Sequence, residues 1–512
     1  MSGENKMLKT AGFMAAATFL AKACGLVRES LITAFFGMGS TADAYFAASQ
    51  LPTTLFDMVI GGVISASFIP VFNGIYEKEN KENAMKFANR FIGMILLATV
   101  LLSVVGIVFS KQLITGIISP EFSAETASLA ARLSSIMFPM VIFTGLAFSF
   151  VGILQSFGEF NIPAIMSLVS NVAVILYFPI LGKRFGVYGL AAAILFSWSL
   201  QVLIQVPSLK KFGYKFRPRL DFKDKYIRQA LLLALPMLIS TWVQPLYSLV
   251  NTRLASAVDG AVTVLNCSNR LYLVMTGVFS FVVTNLIFPR LSRSNVADKT
   301  DESMALVVGS LKAITIVILP IMVCFILLSR EVIGIIYPHF TAEQISITAS
   351  ALSCYSVGMI GLAYNEILSK NFFSMKNSKT PMISALVSMA ANIAMAYLFF
   401  AKIGTSGLAL ATAGGSIVNA LMNFAALKRR QGKIFSRADL AELIKTLISA
   451  VLMAAVVFAL SRLLGGISSG IIGSIIRGAI CGAAGLSVYF AAAYLIGVDS
   501  FKNAIGGVFG GR

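Results

Sequence analysis

The feature that most constrains this chain is the recurrence of long apolar segments along its whole length. Runs of roughly 20 apolar residues, the length that a helix needs to cross a ~30 Å hydrocarbon core, follow one another through the 512 residues. Hydrophobic residues make up 57% of the chain, charged residues only 12%, and the mean hydropathy is +0.84. The period-two alternation of membrane β-strands is not found. The sequence therefore predicts an all-α integral membrane protein.

We predict about fourteen transmembrane helices, an even number that places both termini on one side. Lys and Arg are concentrated in alternate loops, most densely in 210–228, and this asymmetry orients both termini toward the cytoplasm. The first span is expected to be a retained helix, because no Ala-x-Ala-like cleavage pattern follows it. The predicted spans lie near residues 8–36, 41–74, 88–110, 126–155, 160–182, 186–208, 229–254, 262–289, 305–329, 343–369, 379–401, 405–427, 439–463 and 472–497.

An internal repeat organises these spans. The segment "SPEFSAE" (119–125) recurs as "YPHFTAE" (337–343), 218 positions later, and the same offset relates Pro163 to Pro381 and "GLA" at 189–191 to "GLA" at 407–409. Each copy holds six spans, so the copies share an orientation, as in transporters built from parallel repeats around a substrate path. A repeat that serves packing alone is the alternative.

The repeat divides the chain into four parts. Two pseudo-symmetric six-helix lobes, 1–208 and 230–430, are joined by a basic, amphipathic cytoplasmic linker, 209–229. Two C-terminal spans, 431–512, lie outside the repeat, and Ser436 is a plausible N-cap for the first of them. The linker alternates basic and aromatic residues and could pass for an RNA-binding patch. Because it lies between two spans, we interpret it instead as facing lipid headgroups.

Ionisable residues interrupt the first two spans. Lys22, Arg28 and Glu29 lie in the first span, and Asp43 and Gln50 lie in the second. Lys22 and Glu29 are seven residues apart and share one helix face, as do Asp43 and Gln50. Each charge can cost several kcal/mol in lipid, which favours a water-filled cavity. Neutral structural pairs, Lys22 with Glu29 or Arg28 with Asp43, are the alternative.

The second span also has the composition of a broken helix. Pro52, Asp57, the pair Gly61 and Gly62, and Pro70 fall within it. Such a helix is tolerated in a membrane only where it lines a cavity or packs on protein.

Further ionisable residues lie in the later spans. Arg253 and Arg270 fall in or near spans seven and eight, Glu366 in span ten and Arg477 in span fourteen. Arg253 and Arg477 have an alternative place at the headgroup interface. Basic groups from both lobes around one wet cavity favour an anionic substrate, most simply a phosphate or diphosphate.

Residues for covalent chemistry are scarce. The single histidine, His339, lies in a loop, and five cysteines are scattered without metal-ligand spacing. No phosphate-binding glycine loop of the Walker type is found. We therefore expect a transporter, not an enzyme, with neither a metal nor a cofactor.

Two segments carry a family resemblance. "GLVRESLITAFFGMGSTADAYFAASQLP" (25–52) and "NRLYLVMTGVFSFVVTNLIFPRLSRS" (269–294), together with the fourteen-span plan, resemble the MurJ/MviN lipid II flippases of the MOP exporter superfamily. The resemblance covers essentially the full chain. It implies alternating access that moves undecaprenyl-diphosphate-linked peptidoglycan precursor, lipid II, from the inner to the outer leaflet of the bacterial cytoplasmic membrane. It also implies a groove for the polyprenyl tail at spans thirteen and fourteen.

The resemblance extends to individual residues. Arg28, Asp43 and Arg270 match charged residues on which the family depends, and Lys22 stands where an arginine is common. These four are the expected substrate-binding residues. Other residues that the sequence marks as cavity or gate candidates are Glu29, Gln50, Asp57, Arg253 and Glu366.

The chain also departs from the family pattern. Asp57 falls at or beside a position where many members carry arginine, and Gly61 and Gly62 fall where some carry glutamate. Where some members are thought to bind sodium through carboxylates, this chain offers Asn251 and Asn392, so no sodium site is expected. The expected partners are lipid II or a related polyprenyl-diphosphate lipid, membrane phospholipids and cell-wall synthesis proteins, without nucleic acid.

Three alternatives to lipid II flipping stay open. A flippase of the same fold could carry another polyprenyl-diphosphate saccharide. A cation-coupled drug exporter is expected to have mainly acidic residues in its cavity, whereas the candidate cavity residues of this chain are mainly basic. A non-transporting scaffold for wall-synthesis enzymes would work normally after its cavity charges were neutralised.

Overall fold

The structure, a computed structural model, describes residues 2–58, 67–241, 243–296, 300–375, 377–466 and 470–501. Within these ranges, side chains are described except at 2–11, 15, 235–241, 243–244, 281–296 and 300. The described residues form helices and connecting turns, with no strand among them. The predicted all-α class is therefore confirmed. Two compact units are present, Met1–Thr263 and Val264–Arg512.

Helices α1 to α12 belong to the first unit. They are α1 (Ser2–Phe36), α2 (Ser40–Phe56), α3 (Ile69–Lys78), α4 (Lys81–Val108), α5 (Ser110–Leu113), α6 (Ala124–Met137), α7 (Met140–Ser156), α8 (Asn161–Tyr177), α9 (Lys183–Leu203), α10 (Val206–Lys211), α11 (Lys225–Thr241) and α12 (Val243–Ala255). π-helical turns at Ile114–Ile118 and Phe178–Gly182 follow α5 and α8.

Helix α13 (Ala261–Val296) begins at the end of the first unit and continues into the second. The remaining helices are α14 (Thr300–Leu327), α15 (Ser329–Ile336), α16 (Ala342–Ser356), α17 (Met359–Ser374), α18 (Lys379–Ile403), α19 (Thr405–Gln431), α20 (Arg437–Leu463) and α21 (Ile471–Ile496). In this unit α19 packs on α16, α17 and α18, and α20 packs on α14 and α21.

Nine helical stretches among the described residues are long and apolar enough to cross a membrane. The longest, Asn161–Lys211, covers two predicted spans, because Gly186 adopts φ 53° and ψ −145° and turns the chain inside it. A multi-pass membrane protein is therefore confirmed, while the count of fourteen spans stays a prediction. Predicted span 41–74 is divided between α2 and α3, and Gly61 and Gly62 lie outside the described residues.

Local geometry repeats between the two units at the offset found in the sequence. Ser123 caps α6 by accepting from the Thr126 backbone N–H, and Thr341 caps α16 by accepting from that of Gln344. Gly186 and Gly404 have φ of 53° and 59°, a backbone conformation that L side chains rarely adopt. The repeat is therefore structural as well as sequential.

Apolar side chains lie both inside each unit and on its surface. Phe68, Phe72, Phe87 and Phe91 form a buried aromatic cluster in the first unit. Val451 on α20 and other large apolar side chains on α4 and α21 are exposed. Exposed apolar faces of this extent suit contact with lipid rather than water.

The two units divide at Thr263, later in the chain than the linker at which the repeat divides the lobes. Side chains of α2 bind residues 248–263, and the Gly116 backbone carbonyl in the π-helical turn Ile114–Ile118 accepts from Arg253. Helix α11 packs on α3 and α4, and α12 packs on the π-helical turn. Both helices therefore lie in the first compact unit, although the repeat assigns them to the second lobe.

Candidate anion-binding and gating residues

Arg28 on α1 is held by two acceptors. Its Nη2 donates to Glu29 Oε1 at 2.7 Å, and its Nη1 donates to Asn171 Oδ1 on α8 at 3.0 Å. The side chains of Arg28 and Glu29 are 19% and 7% exposed. Arg28 Nε is buried and has no hydrogen-bond partner. The guanidinium is therefore fixed in place with one buried donor left unsatisfied.

Asn171 is a residue that the sequence analysis missed. Its Nδ2 donates to the backbone carbonyl of Ala21 at 2.9 Å while its Oδ1 accepts from Arg28. Gly25 on α1 faces Asn171, and a Cβ there would lie 3.7 Å from Asn171 Nδ2, an ordinary van der Waals contact. The available signal was a polar amide inside an otherwise apolar span.

Lys22 is half-buried on α1, nearly two turns before Arg28. Glu29 accepts from Arg28, and the alternative pairing of Lys22 with Glu29 stays open. Lys22, Arg28 and Glu29 together carry one net positive charge.

Asp43 on α2 caps the first turn of α13. Its Oδ2 accepts from the Gly260 backbone N–H at 2.7 Å, and its Oδ1 accepts from the Thr263 N–H at 2.7 Å and the Thr263 hydroxyl at 2.5 Å. Asp43 is 1% exposed. A carboxylate at a helix N-terminus satisfies otherwise unpaired N–H groups. The alternative in which Asp43 pairs with Arg28 therefore does not describe this structure.

Gln50 lies on the same face of α2 as Asp43, as its spacing predicts. Its Nε2 donates to the Ser248 hydroxyl and its Oε1 accepts from the Thr252 hydroxyl, both at 2.6 Å. Arg253, exposed on α12, donates to the carbonyl of Gly116 at 2.9 Å. These contacts and the Asp43 cap fasten α12 and the start of α13 to the rest of the first unit.

The other candidate residues occupy separate places. Asp57 follows the last residue of α2 and is exposed. In the second unit, Arg270 is exposed on α13, and Glu366 on α17 accepts from Lys370 at 3.4 Å, one turn further along the helix. The meeting of Arg270 with Lys22 and Arg28 stays a prediction.

A charged network joins α20 to α14 within the second unit. Lys312 on α14 contacts Asp439 at 2.9 Å and Glu442 at 2.8 Å, both on α20. Glu442 also accepts from the Ser500 backbone N–H at 2.7 Å. The predicted N-cap is confirmed, because the Ser436 hydroxyl accepts from the Asp439 N–H. Lys312 was missed, since a lone lysine in an apolar span does not reveal its partner.

The sequence left two environments open for Arg477, the protein interior and the lipid headgroups. In the structure Arg477 lies beside an acid. Its Nε is 3.8 Å from Glu331 Oε1 on α15, too far for a hydrogen bond. Asn251 and Asn392 stand where some family members are thought to bind sodium. They are buried on α12 and α18.

Comparison with known proteins identifies the family. The model of the lipid II flippase MurJ family matches residues 32–472. The chain belongs to that family. It is 28% identical over 512 residues to a probable lipid II flippase MurJ of Rhizobium meliloti (strain 1021), covering 97% of this chain and 95% of that protein.

Solved structures support the same fold. A lipid II flippase MurJ in an inward closed conformation superposes with a TM-score of 0.77 at 24% identity, covering 93% of this chain and 98% of that one. An inward-facing multidrug resistance MATE transporter of the MOP superfamily superposes with a TM-score of 0.61 at 16% identity, covering 81% and 94%. The family prediction and the MOP-type fold are therefore confirmed, and membership places the chain among multi-pass bacterial membrane proteins.

Proposed function

We propose that the protein moves lipid II from the inner to the outer leaflet of the cytoplasmic membrane by alternating access. The observation that carries this proposal is the match of residues 32–472 to the lipid II flippase family. The process makes and breaks no covalent bond, so the chain acts as a transporter. Both termini lie in the cytoplasm, in keeping with the loop distribution of Lys and Arg. A drug-exporting function has only the likeness of fold in its favour.

Lys22, Arg28 and Arg270 are the proposed contacts for the diphosphate. Arg28 is held at two of its nitrogens while its buried Nε lacks a partner. A diphosphate oxygen that binds there competes with Glu29 for the guanidinium, which makes the binding reversible. Arginine suits this role because its planar fork can present two N–H groups to one phosphate.

Asp43 and Gln50 are the proposed gate residues. In the proposed orientation the end of α1 and the start of α2 lie at the outer surface. Both side chains bind residues 248–263 by hydrogen bonds. Polar contacts of this kind can be broken and remade at low net cost, because water replaces each partner. The gate opens when these bonds exchange for water, and the headgroup then leaves toward the outside.

The decisive experiment is reconstituted flipping of fluorescent lipid II in vesicles, with an impermeant quencher reporting the outer leaflet. Arg28→Ala and Arg270→Ala are compared with Arg184→Ala, an exposed arginine that stacks on Phe185. We expect each test variant to lose at least about tenfold in rate, roughly 1.4 kcal/mol, and the control to keep the wild-type rate. Wild-type rates in both folded test variants would defeat the site assignment.

A second arm tests the substrate. A polyprenyl-diphosphate carrying a different saccharide replaces lipid II in the same vesicles. Faster transport of lipid II supports the proposal, while equal or faster transport of the other lipid assigns the protein to the broader class of polyprenyl-diphosphate flippases.

A further inference from the structure

The linker that joins α10 to α11 contains a strip of alternating residue types. From Lys215 to Lys223 every odd position is charged and every even position is apolar: Lys215, Phe216, Arg217, Pro218, Arg219, Leu220, Asp221, Phe222 and Lys223. In an extended chain, successive side chains point to opposite sides. The alternation therefore produces one apolar face and one predominantly basic face.

The strip is fixed against α4. Its backbone forms neither helix nor turn from Lys215 to Asp221, and Phe222 and Lys223 lie in a turn. The Asn89 side chain donates to the Lys215 carbonyl at 3.0 Å and accepts from the Arg217 backbone N–H at 2.8 Å. The Asn89 backbone carbonyl accepts from the Arg219 N–H at 3.2 Å. Backbone groups of every second residue thus face one helix, the pattern of an extended chain. Tyr214 donates to Asn89 Oδ1 at 2.8 Å, and burial raises the pKa of this tyrosine, which keeps it a donor.

Two further contacts hold the strip at the same place. Arg90 forms ion pairs with Asp221 and Asp224. The negative charges of these two acids are therefore balanced by a cation of α4. Gly93 is required at the crossing, because a Cβ there would lie 2.3 Å from the carbonyl oxygen of Arg219. The remaining charge displayed by the strip is therefore positive.

An apolar groove runs between the strip and α4. Its volume is about 270 Å³, and its walls are Leu96, Leu97 and Val100 from α4 and Pro218, Arg219 and Leu220 from the linker. Outside the groove, Phe216 and Phe222 are 50% and 62% exposed, and Leu220 on the groove wall is 54% exposed. Lys215, Arg217, Arg219 and Lys223 are also exposed. Apolar and cationic groups thus lie side by side at the cytoplasmic end of a membrane helix.

We propose that this strip and groove form a binding site for an anionic phospholipid of the cytoplasmic leaflet. An acyl chain lies against Leu96, Leu97 and Val100, while the headgroup phosphate meets Arg217, Arg219 and Lys223. The exposed rings of Phe216 and Phe222 enter the interface on either side. Apolar groups in lipid beside Lys and Arg at the headgroups are the combination that binds anionic membranes. The site rests on the proposed orientation of the chain and not on the transported substrate.

Lipid retention tests this site directly. Full-length protein in detergent is equilibrated with phosphatidylglycerol or phosphatidylcholine of the same acyl composition, and retained lipids are counted by native mass spectrometry. The test variant combines Arg217→Gln, Arg219→Gln and Lys223→Gln. The matched control combines Lys183→Gln, Arg184→Gln and Lys402→Gln, which removes three exposed cations from loops that the proposed orientation places outside the cytoplasm.

We expect wild type and control to retain phosphatidylglycerol in preference to phosphatidylcholine, and the test variant to lose that preference by tenfold to a hundredfold, on the order expected for three interfacial cations. Equal retention of the two lipids by wild type, or unchanged selectivity in the test variant, would overturn the proposal. Displacement of the retained lipid by inorganic phosphate alone would also overturn it, because the groove would then contribute nothing.

Photocrosslinking locates the lipid without altering the cations. p-Benzoylphenylalanine replaces Phe222 in one protein and the exposed Leu101 of α4 in another. Crosslinks at position 222 should favour phosphatidylglycerol about tenfold or more, while those at 101 should not discriminate. If position 222 instead captures lipid II in preference to phosphatidylglycerol from mixed vesicles, the groove is a substrate entrance and the proposal fails. Neither assay requires flipping, so its result is separable from that of the transport proposal.

Discussion

Asn171 is a positioning residue for Arg28, and its removal should change substrate affinity more than stability. In Asn171→Ala the guanidinium loses its acceptor on α8, and the Ala21 carbonyl loses a donor. Each lost hydrogen bond is worth about 0.5–1.5 kcal/mol. We expect the KM for lipid II to rise by roughly threefold to tenfold in reconstituted flipping, with a smaller change in the maximum rate.

Two variants separate positioning from general packing. Asn171→Asp keeps an acceptor for Arg28 and should restore much of the affinity. Ser170→Ala, next to it on α8, removes a hydroxyl that bonds only to Ser167 of its own helix and should leave KM unchanged. A KM that stays at the wild-type value in Asn171→Ala contradicts the assigned role.

Asp43 also gives a prediction for a single residue. In Asp43→Asn one acceptor oxygen becomes an N–H₂ group that faces the donors of Gly260 or Thr263. We expect the free energy of unfolding to fall by about 1–3 kcal/mol, measured by thermal unfolding in detergent. The neighbouring exposed Asp259 supplies the control, because Asp259→Asn should change stability by less than about 0.5 kcal/mol. Equal unfolding midpoints for the two variants would show that the cap contributes nothing.

At the scale of helices, Lys312 should anchor α20 to α14. Its ammonium lies between Asp439 and Glu442, and the three side chains are 18%, 20% and 8% exposed. Lys312→Met leaves two carboxylates close together without a cation, and removal of one partner from a buried pair is strongly destabilising. Since the group is partly exposed, we expect a loss of about 2–3 kcal/mol in the free energy of unfolding.

Neutralising the acids tests this interpretation. The triple variant Lys312→Met, Asp439→Asn, Glu442→Gln should recover most of the stability lost by Lys312→Met, because no uncompensated charge remains. Lys428→Met, at the exposed end of α19, is the control for loss of one lysine. If the triple variant is no more stable than Lys312→Met, the ion pairs are not what holds α20.

The sequence predicted local features of the helices well and their partners poorly. The Ser436 cap and the turn between predicted spans five and six depend on residues that are neighbours in the chain, so hydroxyl and glycine positions reveal them. The contact of Arg28 with Asn171 joins residues 143 positions apart. Nothing in either local pattern identifies the other, which is why Asn171 and Lys312 were missed.

At the scale of the whole molecule, the charges that the sequence marked do different work. Arg28 is clamped with an unpartnered Nε, whereas Asp43 is saturated by three donors. Spacing alone predicted that Asp43 and Gln50 share a face, but not that this face binds 248–263 instead of a cation. In the proposed mechanism, Arg28 therefore suits contact with the substrate, and Asp43 suits a gate contact.

Transport of an anion through such a cavity should depend on membrane potential. An inside-negative potential lowers the free energy for outward movement by about 2.3 kcal/mol per charge per 100 mV, which is roughly tenfold per net charge at 60 mV. We expect inside-negative potassium diffusion potentials to accelerate outward flipping of lipid II and inside-positive ones to slow it. Vesicles with an ionophore that collapses the potential supply the control. A rate independent of the sign of the potential would show that the protein's own cations cross with the diphosphate and cancel its charge.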